Sequence, residues 1–137
     1  MTSPLERLPT WVLSSAATRA HRLLQHGLAE VGVTGYEYRC LAALAGDAPL
    51  SQTEVGAAAA LDARDVTHTL RALEGRGLVA RAKDPGHGRR VLATLTPAGR
   101  RLMVEVAEAM EGVQEAVFGG LSTGERAQLV EFLERIG

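Results

Sequence analysis

Aromatic residues are scarce in this chain, at 4% of 137 residues. A core must therefore be built from Ala, Leu and Val, which suit helices, and a single domain of this length has only a modest core of its own. Pooling the apolar faces of two chains compensates, so a homodimer is expected. A lone cysteine, Cys40, excludes an intrachain disulfide. The longest stretch free of Lys, Arg, Asp and Glu runs from Leu8 to Thr18, too short to span a bilayer. Met1-Thr2-Ser3-Pro4-Leu5-Glu6-Arg7 lacks the basic start and apolar run of a secretion signal. A cytoplasmic protein with no membrane partner is expected. Also missing are a Gly-rich phosphate loop, a clustered carboxylate pair and a nucleophile elbow, so the chain is not read as an enzyme. His21 and His26 are five apart, poor spacing for two ligands on one helical face. No metal and no cofactor is expected.

The net charge of −1 hides a strong division. Residues 1–60 carry four basic and five acidic side chains, residues 61–101 nine and four, and residues 102–137 two and seven. The middle segment is thus +5 and the last −5, an asymmetry that marks a nucleic-acid footprint when it falls on a suitable motif. Lysine is nearly absent, Lys83 being one of fifteen basic residues. Arginine is the better fork for phosphate and guanine, although the same bias with abundant Ala and Gly fits a GC-rich genome.

The motif under this charge runs from Leu50 to Arg100. Ser51 and Glu54 have capping-box spacing, opening one helix, and Asp62 is the N-cap of a second that runs to about Arg76. A strand over Gly77–Lys83, the turn Asp84-Pro85-Gly86-His87-Gly88 and a strand over Arg89–Leu95 make a two-stranded wing. Thr96 caps a fifth helix with Pro97 in its first position, and Gly119-Gly120 ends it. Ser122 and Glu125 form another capping box before a sixth helix. Upstream, Pro9 to about Val31 reads as a long helix, Val33-Thr34-Gly35 as a connector, and Tyr36 to Ala45 as a second helix.

Leu50-Ser51-Gln52, Leu61-Asp62, Leu73-Glu74-Gly75-Arg76-Gly77-Leu78-Val79, Asp84-Pro85, Arg89 and Leu95-Thr96-Pro97-Ala98-Gly99 together resemble the winged helix-turn-helix of the multiple-antibiotic-resistance regulator (MarR) family of bacterial transcription factors. The resemblance covers essentially the whole chain. It implies a mostly α fold with a small β-wing, in which about 1–34 and 101–137 form a dimerisation layer and about 35–100 the DNA-binding unit. It also implies a homodimeric regulator of double-stranded DNA, reading a pseudo-palindrome with half-sites roughly 34 Å apart, and a repressor released by a small aromatic or phenolic ligand.

On the fourth helix Val66, Leu70 and Leu73 face inward, while Arg64, Asp65, Thr67, His68 and Arg71 face outward or flank that face. By the resemblance this helix enters the major groove, with Arg64 and His68 the leading base readers and Thr67 and Arg71 on bases or phosphates. Asp65 either accepts from cytosine, orients Arg64 or His68, or simply complements the helix dipole. Ser51, Gln52 and Thr53 lie at a helix N-terminus suited to phosphate. Arg89 matches the family's minor-groove arginine, with Lys83 and Arg90 adding charge on the flanking strands. The pattern departs at His87, where the family usually has aspartate, and at Gly88, where it has arginine; the wing tip is expected to be flexible. Ala60 replaces a common glycine in the turn between the third and fourth helices, and would be strained at positive φ.

For a ligand, the resemblance points to Trp11, His21, Tyr36, Tyr38 and Arg39, with Arg39 able to pair with a carboxylate. Cys40 offers a redox alternative, which requires an exposed thiol of depressed pKa. The apolar run Leu41-Ala42-Ala43-Leu44 favours a buried one. A winged helix that binds protein rather than DNA is a further alternative.

Overall fold

The computed structural model describes residues 3–137; Met1 and Thr2, the start of the segment read for a secretion signal, lie outside them. A 3-10 turn at Leu5–Arg7 is followed by α1 (Pro9–Glu30), α2 (Gly35–Ala43), β1 (Leu50–Ser51), α3 (Gln52–Ala59) and α4 (Ala63–Gly75). Then come β2 (Val79–Lys83), β3 (Val91–Leu95), α5 (Pro97–Phe118) and α6 (Thr123–Glu134). Helix, turn, helix and wing stand in the order read from the sequence.

Local chemistry explains most of the helix starts. Ser51 and Ser122 each close a capping box, with Glu54 and Glu125 respectively. The backbone N–H of each serine holds its partner carboxylate below the usual carboxylate range. Thr34 closes a third capping box, at the start of α2: its N–H donates to Glu37 Oε1 at 3.0 Å and its hydroxyl accepts from the Glu37 N–H at 3.1 Å. Thr34 is therefore a cap rather than part of a plain connector, and α2 starts at Gly35 rather than at Tyr36. Thr96 accepts from the Gly99 N–H at 3.0 Å, the N-cap bond expected of it.

The wing differs from expectation in two respects. It is three-stranded and antiparallel, ordered β1-β3-β2, because Leu50 pairs with Ala93 and Ser51 with Leu92. Both main strands also begin two residues late. Gly77 has φ 72°, and the Leu78 N–H reaches back to the Leu73 carbonyl at 3.0 Å, so these residues end α4 in a left-handed turn. Arg89 and Arg90 belong to the tight turn, where the Arg90 N–H donates to the His87 carbonyl at 2.8 Å.

The described residues form two compact units: the residues up to Gly27 with Met110–Gly137, and Leu28–Ala109. The second holds the main core, with Leu28, Cys40, Leu41, Leu44, Val55, Val66, Leu70 and Leu73 all almost fully buried. In the first unit, Arg126 donates to the Phe118 carbonyl at 3.2 Å and to Glu115 at 3.1 Å, bracing α6 against the end of α5. Large apolar side chains stay open there. Trp11, Val12, Val130, Phe132 and Ile136 are each 45–58% exposed, and α6 has no buried residue. Among the described residues no helix is long and apolar enough to cross a membrane.

Candidate nucleic-acid interface

The reading surface is built around a closely packed turn. A Cβ at Gly56 would stand 3.1 Å from the Leu61 carbonyl oxygen and 3.3 Å from Val66 Cγ2, so glycine there lets α3 and the turn approach. The Leu61 N–H reaches back to the Gly56 carbonyl at 3.0 Å. Asp62 then caps α4 by accepting from the Asp65 N–H at 2.8 Å. Val66, Leu70 and Leu73 are buried on the inner face, joined by Thr69, which the apolar pattern alone did not mark.

Arg64, His68 and Arg71 are exposed along one stripe of α4, four and three residues apart as the helical period requires. Asp65 is half-buried and, among the described residues, forms no ion pair with Arg64 or His68. The dipole role of its carboxylate is thus left without an orienting role beside it. Gln52 and Thr67 are engaged with each other. Gln52 Nε2 donates to the Thr67 hydroxyl, and that hydroxyl donates to the Ala63 carbonyl at 2.8 Å. This pair ties the start of α3 to the first turns of α4. Ser51 is occupied in its capping box, whereas Thr53 is exposed beside it.

The arginines divide into two groups. Arg76 bonds Glu37 at 2.9 Å and the Gly32 carbonyl at 3.0 Å. Arg81 grips Glu74 through two bonds of 2.9 and 3.3 Å, joining β2 to the end of α4. Arg90 pairs with Glu54, tying the wing turn to the first turn of α3, so it stands in the turn rather than on the flanking strand where it was expected. Among the described residues Arg64, Arg71, Lys83 and Arg89 form no ion pair and no hydrogen bond through their charged ends. The bound arginines sit between elements, whereas Arg64, Arg71, Lys83 and Arg89 lie on the stripe and the wing; Arg100 and Arg101, in the first turns of α5, are exposed as well. Net charge from the sequence did not distinguish them.

The wing turn is closed by backbone bonds: Asp84 N–H to the Arg90 carbonyl at 2.7 Å and His87 N–H to the Asp84 carbonyl at 3.1 Å. Asp84 also accepts from the Gly86 N–H at 3.0 Å. These bonds close the turn that contains Gly86 and Gly88, and Arg89 is exposed on it.

The candidate ligand residues are only partly brought together. Tyr36 is exposed, and the Arg39 guanidinium lies over its ring, 5.8 Å from the centroid. Arg39 is already engaged, donating to the Ala59 and Ala60 carbonyls at 2.8 Å each. Those two bonds use two of its five N–H donors, so the expected pairing with a ligand carboxylate is left to Nη1 and the second Nη2 hydrogen. Tyr38 is half-buried; Trp11 and His21 are exposed on α1, in the other unit. Cys40 is 0% exposed, and burial pushes its thiol up to about 11, against the lowering effect of Arg39. A sensor thiol needs exposure and a depressed pKa; Cys40 has neither.

The profile of the MarR family matches residues 31–90. The HTH-type transcriptional repressor Rv2887 of Mycobacterium tuberculosis (strain ATCC 25618 / H37Rv) is 30% identical over 110 residues, covering 80% of this chain and 79% of the relative. The chain belongs to the MarR family. The HTH-type transcriptional repressor NicR of Pseudomonas putida is 28% identical over 125 residues, 91% of this chain and 79% of its own length. Among solved structures, Bordetella bronchiseptica BpsR, whose DNA binding is regulated by 6-hydroxynicotinic acid, superposes with a TM-score of 0.83 at 30% identity, covering 98% of this chain and 96% of that one. As a MarR-family member the chain is a DNA-binding transcriptional regulator and not an enzyme.

Proposed function

We propose that this MarR-family regulator acts as a homodimeric repressor of a pseudo-palindromic operator in the bacterial cytoplasm. About 1–34 and 101–137 form the dimerisation layer, and about 35–100 of each protomer reads one half-site. The observation that carries the reading is the division of the cations: Arg64, Arg71, Lys83 and Arg89 are open on the stripe and wing, while Arg76, Arg81 and Arg90 are bound between elements. Arg64 and His68 read base edges, Arg89 enters the minor groove, and Arg71, Lys83 and Thr53 contact phosphate. Ser51, Gln52 and Thr67 support the surface from behind, and Asp65 complements the α4 dipole. The open apolar side chains of α1 and α6 support self-association, since burying them against a second copy removes that area from water.

For the effector we propose a small aromatic acid, the class to which the regulator of BpsR belongs. Tyr36 offers it an exposed ring; Trp11, His21 and Tyr38 are further candidates. A ligand that binds better to a form with mismatched reading heads shifts the population away from DNA.

The test is binding of the purified protein to a duplex it selects from a random library, titrated over salt against a scrambled duplex. Counting one neutralised phosphate for the charge of each of Arg64, Arg71, Lys83 and Arg89 in both protomers, the slope of log K against log salt approaches about −7. Equal, weak binding to both duplexes would instead favour a winged helix that docks protein.

A further inference from the structure

The turn between α3 and α4 is held in a backbone conformation that its own residue disfavours. Ala60 has φ 54° and ψ 48°. Among the described residues no other non-glycine has positive φ, a region where Cβ crowds the following carbonyl oxygen. Asp62, the N-cap of α4, follows two residues later. A change of path at Ala60 is therefore delivered to the first turns of α4, where Arg64, Asp65, Thr67 and His68 stand.

Arg39 grips this turn from α2. Its Nε donates to the Ala59 carbonyl and its Nη2 to the Ala60 carbonyl, both at 2.8 Å. The planar guanidinium fork can span two successive carbonyls, which an ammonium cannot do in the same geometry. These carbonyls end α3, where unpaired acceptors and the helix dipole both favour a cation. The Tyr36 ring, one turn earlier on α2, lies under the guanidinium and limits the directions it can take. A strained turn, a fork that fits its two carbonyls and a ring that steadies the fork thus converge at the entrance to the reading helix.

We propose that Arg39 is a positioning residue for DNA reading, setting the path of the turn and thereby the orientation in which α4 presents its stripe. The proposal rests on the reading above, in which α4 enters the groove. Arg39 acts through geometry, because its charged group is engaged by carbonyls. Its loss therefore lowers discrimination between sequences while leaving general attraction to phosphate intact.

The experiment compares wild type, Arg39→Met and Arg39→Lys, each with and without Ala60→Gly. Binding is measured over salt on the duplex selected by wild type and on a scrambled duplex, with circular dichroism confirming the fold. Arg39→Met is expected to lose roughly tenfold in affinity for the selected duplex, with scrambled-duplex binding and salt slope as in wild type. Adding Ala60→Gly restores most of that loss, since glycine takes the left-handed conformation without strain. Arg39→Lys falls between wild type and Arg39→Met.

Wild-type affinity in Arg39→Met overturns the proposal. So does a salt slope reduced by about one per protomer, the mark of a direct phosphate contact, or failure of Ala60→Gly to restore binding. If Arg39→Met does not fold, Arg39→Lys decides: full affinity overturns the proposal, and a loss restored by Ala60→Gly supports it. A wild-type protein that selects no sequence overturns the DNA-reading itself and the role of Arg39 with it. Failure in the variants alone overturns only the role of Arg39.

Discussion

Replacing Ala60 by glycine is expected to stabilise the protein. An L-residue in the left-handed region costs about 1–2 kcal/mol. Glycine removes that cost but frees the unfolded chain, returning about 0.5–1 kcal/mol. Ala60 is exposed, so losing its methyl group forfeits little burial. The bonds at the turn, from Arg39 and from the Leu61 N–H to Gly56, involve main-chain atoms and survive the change. The net gain is about 0.5–1 kcal/mol. For 137 residues, an unfolding entropy of about 2.1 cal/mol/K per residue turns this into a rise in Tm of about 2–3 °C. Differential scanning calorimetry at matched protein concentration measures it, because self-association makes Tm depend on concentration. An unchanged or lower Tm in Ala60→Gly refutes the claim that strain is held at this residue.

Arg89→Ala should weaken binding to all duplexes and make the salt slope shallower by about one per protomer, whereas Arg64→Ala should change which sequences are selected. Selection profiles identical to wild type would remove Arg64 from the readers. Gly99→Ala should destabilise by about 2–3 kcal/mol in urea denaturation, because a Cβ there would stand 2.2 Å from the Leu78 carbonyl oxygen and force α5 away from the start of β2; a loss below measurement would contradict that packing. Cys40 should react with a maleimide only as fast as the protein unfolds, and rapid labelling of folded protein would contradict its burial. Its folded pKa of about 11 lies above the ordinary 9.0. Its contribution to stability is therefore complete below about pH 9 and is lost as pH rises through 11. The difference in stability between wild type and Cys40→Ser, followed over that window, measures it.

Features set by neighbouring residues were legible from the chain. The boxes Ser51/Glu54 and Ser122/Glu125, the Asp62 cap, the Thr96-Pro97 start and the inner face Val66, Leu70 and Leu73 all depend on contacts within a turn or two. Thr34 and Glu37 carried the same signal as the serine boxes, and spacing alone could have found them. Cys40 lay in an apolar run that already favoured burial. β1 was beyond reach in the sequence: two residues show no period, and the strand exists only because β3 lies beside it.

The chain by itself determined that this is a winged helix-turn-helix protein with its positive charge on the reading segment. Which cations are left open there was decided by the tertiary structure. Arg39 finds its carbonyls 20 and 21 residues away, Arg90 finds Glu54 at 36, and Arg76 finds Glu37 at 39. A guanidinium on a long side chain can satisfy any acceptor within its reach. Linear order does not say which acceptor that is, and only the packing of the elements that carry them brings one partner close and leaves Arg64 and Arg89 with none among the described residues.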